Sequence, residues 1–124
     1  MEDIAAMNSN KETGQTGEDL AANYLQKNGF KILNKNWRWG SREIDIIASK
    51  NQYIHFIEVK TRTGKKYGYP DDAVSKMKIR FMMDAAEEYL FRNPGWKRIQ
   101  FDILAIELGG KEIVYTYIED VYAW

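Results

Sequence analysis

Apolar residues recur at helical spacing early in the chain. Gly17, Leu20, Ala21, Tyr24 and Leu25 fall at i, i+3, i+4, i+7 and i+8, one face of a 3.6-residue period. Thr16 and Asp19 stand in a capping-box-like relation, which predicts a helix beginning at Thr16. Gly29 predicts its end, because glycine takes the left-handed conformation that closes a helix. Glu18 lies about 90° around the wheel from the centre of the apolar stripe, where it can look toward a site beside the core. Residues 1–12 are polar and aperiodic and are expected to form a flexible tail, leaving 13–124 as one domain.

The pattern then shifts to strands. Lys31–Arg38 reads as a mixed strand broken by the turn Trp37-Arg38-Trp39-Gly40. Glu43–Ser49 and Tyr53–Arg62 are rich in β-branched and aromatic residues, and the short link Lys50-Asn51-Gln52 predicts an antiparallel hairpin. In Tyr53–Arg62 both alternating faces are largely apolar, so this strand is expected at the centre of a sheet covered on both sides. Gly64, Gly68 and Pro70 make Thr61–Asp72 a loop.

A second helix is predicted from about Ser75 to Arg92. Val74, Met77, Phe81, Ala85 and Tyr89 form its apolar face, Lys76, Arg80 and Glu87 lie opposite, and Asn93-Pro94-Gly95 ends it. Ile99–Leu108 and Glu112–Ile118 are the last strands, expected to be joined by a two-residue turn at Gly109-Gly110. The order α-β-β-β-α-β-β defines an α/β fold, a mixed sheet flanked by helices. The helix-containing link between the third and fourth strands implies a parallel crossover.

Composition narrows the chemistry. At 124 residues, 44% hydrophobic and 29% charged, the chain is an ordinary globular domain. With no cysteine and one histidine, His55, it has neither thiolate nor multi-histidine metal sites, so any metal must be a hard, oxygen-bound cation. Glu2 and Asp3 replace the basic start of a signal peptide, and no apolar run reaches membrane-spanning length; a cytoplasmic location, with no membrane partner, is the expectation. Net charge is zero, yet residues 60–83 hold seven basic side chains against two acidic ones. Such a segment is either a polyanion contact, with Arg62, Lys65, Lys66 and Lys76 as the candidate nucleic-acid-binding residues, or a solvated basic surface.

The polar residues that interrupt apolar strands carry the most information. Glu58 and Lys60 share one face of the third strand, and Asp45 stands between Ile44 and Ile46 in the second. If the hairpin pairs these strands, Asp45 and Glu58 can meet across the sheet and hold Mg²⁺ or Mn²⁺, with Lys60 placed to orient the attacking water or to neutralise a phosphate in the transition state. The competing reading is a structural Glu58–Lys60 ion pair, with Asp45 accepting hydrogen bonds.

These residues carry a resemblance. Gly17-Glu18, Glu43-Ile44-Asp45-Ile46-Ile47-Ala48 and Phe56-Ile57-Glu58-Val59-Lys60-Thr61-Arg62 resemble the bacterial YraN family, which in turn is similar to the PD-(D/E)-x-K endonuclease superfamily and to archaeal Holliday-junction resolvases. The resemblance implies a restriction-endonuclease-like fold and a metal bound by Asp45, Glu58 and Glu18, with Asp45, Glu58 and Lys60 as the catalytic residues. Arg42-Glu43 stands where that family commonly has Gly-Glu, and Gln100-Phe101-Asp102 where it has Arg-Phe-Asp. The activity expected is cleavage of DNA, branched or structured DNA included, by a Mg²⁺- or Mn²⁺-dependent nuclease. The alternative is a nucleic-acid-binding module on a nuclease fold that does not cut. Zero net charge and small size favour a homodimer or a partner protein.

Lesser candidates are weighed beside these. His55 alternates onto the face opposite Glu58 and reads as a sheet-face residue, and Asp102 as a structural hydrogen-bonding group. Trp37 and Trp39 either stack on unpaired bases or pack a turn. Met77, Phe81, Met82 and Tyr89 read as core, and Tyr115, Tyr117, Tyr122 and Trp124 as cover for the last hairpin or a dimer contact.

Overall fold

The computed structural model describes residues 10–63 and 76–121. Its elements are α1 (Asn10–Lys27), β1 (Lys31–Trp39), β2 (Arg42–Lys50), β3 (Tyr53–Arg62), α2 (Lys76–Arg92), β4 (Arg98–Glu107) and β5 (Val114–Ile118), in the expected order. They form one mixed sheet in the order β1-β2-β3-β4-β5. The pairs β1–β2, β2–β3 and β4–β5 are antiparallel, and β3–β4 is parallel, joined by the crossover through α2.

β3 is the central strand because both of its faces are buried. On one face Ile57 packs with Ile46, Leu104 and the α1 residues Ala21 and Leu25. On the other, Ile54 and Phe56 pack with Ile44, Ile47 and the α2 residues Met82, Ala85 and Tyr89. Two local devices set the frame. Gly29, at φ 90°, lets Phe30 N–H reach the Leu25 carbonyl at 2.9 Å and Gly29 N–H the Gln26 carbonyl at 3.1 Å, which closes α1. Asn51 and Gln52 both take positive φ, so the β2–β3 hairpin turns in two residues and pairs Lys50 with Tyr53.

Four local expectations are corrected. α1 begins at Asn10, not Thr16: a capping pattern marks a start only where the preceding residues are not already helical. Of the supposed tail, residues 1–9 lie outside the described residues. β1 continues through Trp37 to Trp39, and the turn falls on Gly40-Ser41. Trp37 is held in the strand by packing edge-on to Tyr89 at 5.3 Å, while Trp39 is exposed. The last hairpin does not turn at Gly109-Gly110 alone. Glu107 pairs with Val114, leaving 108–113 as the link, because Leu108 N–H is bonded to the Arg62 carbonyl at 2.7 Å, on the β3 side of β4.

The fourth correction concerns the phase of α2. Its buried residues are Met82, Ala85, Ala86 and Tyr89, whereas Met77 is 64% and Phe81 41% exposed. Small Ala85 and Ala86 face the sheet, and the Phe81 ring lies under the Arg42 guanidinium at 4.7 Å. Shifting the buried face by one residue sets Lys78, four before Met82, on the sheet side. Val74 lies outside the described residues.

Candidate metal centre

The site arises where two strands part. β2 and β3 pair from Lys50–Tyr53 to Ile46–Ile57. One further step of that register would set Asp45 opposite Glu58. There the backbone ladder ends, and the Asp45 carboxylate instead accepts the Val59 N–H at 2.8 Å. β2 continues along β1 to Arg42, and β3 along β4 to Arg62. The face alternation also breaks at Asp45, since Ile44 packs in the α2 layer and Ile46 in the α1 layer. A carboxylate at this position satisfies a backbone donor that the diverging strand no longer reaches.

Burial and neighbouring charge make the gap electrostatically tense. Burial first, then the nearby charge of Glu58, followed by Glu18 and Glu43, pushes the Asp45 carboxyl up to about 7, against the pull of the Val59 hydrogen bond. Glu58 is only 5% exposed, and its ion-pair partner is Lys78, with Nζ 3.2 Å from Oε2. Glu58 in turn raises the Lys78 ammonium above its ordinary range. The competing reading, a Glu58–Lys60 ion pair, gives way to a Glu58–Lys78 pair. Lys78 was hidden from the sequence by the one-residue error in helix phase, and a lysine four positions before a core methionine was the available signal.

Gly17 explains how Glu18 comes to act here. A Cβ built on Gly17 would lie 1.9 Å from Thr61 Oγ1 and 3.1 Å from Thr61 Cβ. Glycine inside a helix is unfavourable by about 1 kcal/mol, and here it permits close docking of α1 on β3. Gly17→Ala is therefore expected to destabilise the fold by about 1–3 kcal/mol through overpacking. Thr61→Ala should recover part of that loss; equal costs of Gly17→Ala in both backgrounds, measured by urea unfolding, would remove Thr61 as the cause.

The remaining candidates are dispersed. Lys60 is half-buried, two residues beyond Glu58 on the same side of β3 and level with Ala105 of β4. Arg62 is buried and Lys76 is exposed at the start of α2; Lys65 and Lys66 lie outside the described residues. His55 and Asp102 are indeed buried on the α1 side, hydrogen-bonded to each other at 2.7 Å. Tyr115 stacks on Tyr24 at 4.5 Å, and Tyr117 packs in the same layer. Tyr122 and Trp124 lie outside the described residues.

Comparison with known proteins places the chain. Residues 17–106, which include Glu18, Asp45, Glu58 and Lys60, match the family described as Uncharacterised protein family UPF0102. The chain belongs to this family. A UPF0102 protein of Flavobacterium psychrophilum is 39% identical over 116 residues, covering 94% of this chain and 98% of its own. A Rhodococcus jostii relative is 40% identical over 119 residues, covering 94% and 100%. A Dictyoglomus thermophilum relative is 39% identical over 117, covering 92% and 99%. Among solved structures, Pyrococcus furiosus SfsA in complex with Ca²⁺ aligns with 88% of this chain and 63% of its own, at 16% identity and a TM-score of 0.31, too slight a likeness to carry an argument. No helix among the described residues is long and apolar enough to cross a membrane.

The donor chemistry of this UPF0102 site fits a hard divalent cation. Asp45 and Glu58 supply oxygen, and a cation between them would relieve the repulsion that raises Asp45. Among the described residues no three acidic or histidine side chains are gathered into a closed ligand set. Glu18 lies close enough for its charge to act on Asp45. A site of two carboxylates suits Mg²⁺ or Mn²⁺, which retain several waters and share their coordination with a substrate phosphate.

Proposed function

We propose that this UPF0102 chain is a Mg²⁺- or Mn²⁺-dependent nuclease that hydrolyses phosphodiester bonds of DNA, with branched or structured DNA among its substrates. The observation that carries the reading is the pair Asp45 and Glu58 at the parting of β2 and β3, with Lys60 two residues beyond Glu58 on the same side. Asp45 and Glu58 hold the cation. When bound, it supplies Lewis-acid stabilisation of phosphate charge and activation of water near neutral pH. Lys60 sets a fixed positive charge where the phosphate becomes more negative. Lys78 neutralises Glu58 until a cation takes that part. The order of elements and the spacing of Asp45, Glu58 and Lys60 agree with the PD-(D/E)-x-K superfamily.

The test is incubation of the pure protein with duplex, single-stranded and branched DNA in Mn²⁺, in Mg²⁺ and in EDTA. Cleavage of at least one substrate, dependent on the divalent ion, is the expected result. Binding without cleavage under any metal transfers the site to a non-cleaving nucleic-acid-binding module. Neither binding nor cleavage overturns both.

A further inference from the structure

A cavity of about 440 Å³ opens at the other end of the β2–β3 ladder, beside the Lys50–Tyr53 turn and on the α1 side of the sheet. That volume falls within the roughly 300–1,000 Å³ of small-molecule sites. Tyr24, Phe30, Tyr53 and Tyr117 give it aromatic walls. Asp102, wholly buried behind it, accepts hydrogen bonds from the Tyr117 hydroxyl, from Gln100 Nε2 at 3.0 Å and from the Asp120 N–H at 2.8 Å, and bonds His55 Nδ1 at 2.7 Å. Burial alone would raise the Asp102 carboxyl, but these four bonds together hold it below its ordinary range, so it stays a carboxylate. A carboxylate there takes the Nδ1 proton of His55 as a hydrogen bond, which orients the ring and leaves Nε2 for a ligand.

The rim carries complementary chemistry. Lys50 Nζ sits 4.9 Å over the Phe30 ring, and the Arg98 guanidinium stacks 5.5 Å from the Tyr53 ring while donating to its hydroxyl at 3.2 Å. Lys50, a lining residue, puts a cation beside an aromatic slot, and Arg98, held on Tyr53 outside the lining, adds a second positive charge nearby; together they suit a phosphate joined to a flat ring. Asn51 lines the same cavity and offers an amide edge of the kind that reads a purine, while Asn28, whose Nδ2 donates to the Tyr24 carbonyl at 2.8 Å, adds its amide oxygen. The Glu119 carboxylate, also lining it, suits the hydroxyls of a ribose. We propose that this cavity binds a 5′-mononucleotide: base between the aromatic walls and against His55 Nε2, sugar toward Glu119, phosphate at Lys50. The source is either a free nucleotide or the phosphorylated 5′ end of a strand. This site lies apart from Asp45 and Glu58 and does not rest on the nuclease reading.

Calorimetric titration of the full chain with AMP in EDTA tests the proposal, since removing divalent ions silences the other site. Saturable binding is expected, with adenosine and inorganic phosphate each weaker than AMP. Lys50→Ala should weaken AMP about fivefold or more while sparing adenosine, and Tyr53→Ala should weaken both. Both substitutions lie at the rim, outside the buried His55–Asp102 pair, so neither should disturb folding. A 5′-phosphorylated oligonucleotide that binds more tightly than AMP, and loses that advantage in Lys50→Ala, identifies a strand end as the source; the reverse order identifies the free nucleotide. AMP binding that does not saturate, or that survives both Lys50→Ala and Tyr53→Ala unchanged, overturns the assignment.

Discussion

Lys60→Ala is expected to lower DNA cleavage by about a hundredfold or more while leaving metal and DNA affinity nearly intact. A side chain whose strongest interaction exists only while charge develops on the phosphate acts on the rate and not on binding. The geometry makes this a cleaner experiment than the sequence alone suggested. Glu58 is paired with Lys78, so removing Lys60 does not strip Glu58 of its counter-ion and the fold should survive. Lys78→Ala is the contrasting control. It leaves a buried carboxylate unpaired, which is costly until a divalent ion takes over the pairing. Its thermal midpoint should therefore fall in EDTA and recover in Mn²⁺. If Lys60→Ala unfolds the protein and Mn²⁺ does not restore it, Lys60 is structural; if it folds and cuts at the wild-type rate, it has no part in the chemistry.

The second large effect follows from Asp45. Burial and then the charges of Glu58, Glu18 and Glu43 push its folded carboxyl from the ordinary 3.8 up to about 7. Between those values the folded chain keeps a proton that the unfolded chain has lost, so metal-free stability falls as pH rises through that window. Asp45→Asn removes this cost and can still accept the Val59 N–H. In EDTA at pH 8 it should be more stable than wild type by up to about 4 kcal/mol, and at pH 4 the difference should nearly vanish. Mn²⁺ must displace the same proton, so its affinity for wild type should rise up to about tenfold per pH unit below 7 and level off above. Asp45→Asn should lose most of that affinity at every pH. Urea unfolding and Mn²⁺ titration across pH 5–8 read both effects. An Asp45→Asn chain less stable than wild type at pH 8 in EDTA would show that the carboxylate is not strained by its neighbours.

What the sequence determined was whatever depends on local period and spacing. Alternation over Tyr53–Arg62 marked a strand buried on both faces, and β3 is the central strand. The short Lys50–Gln52 link required an antiparallel hairpin, which in turn brought Asp45 to the level of Glu58. Gly29 ended α1, since its conformational freedom is a property of the residue itself. Tertiary structure decided what depends on partners distant in the chain. The buried face of α2 was settled by the fit of Ala85 and Ala86 to the sheet, a choice between adjacent stripes that periodicity leaves nearly degenerate. That choice set Lys78, and not Lys60, against Glu58. The parting of β2 and β3 at Asp45 is likewise absent from local pattern, because it reflects β2 following β1 while β3 follows β4. So is the joining of His55 to Asp102, 47 residues apart, which the parallel register of β3 and β4 brings together in one buried layer.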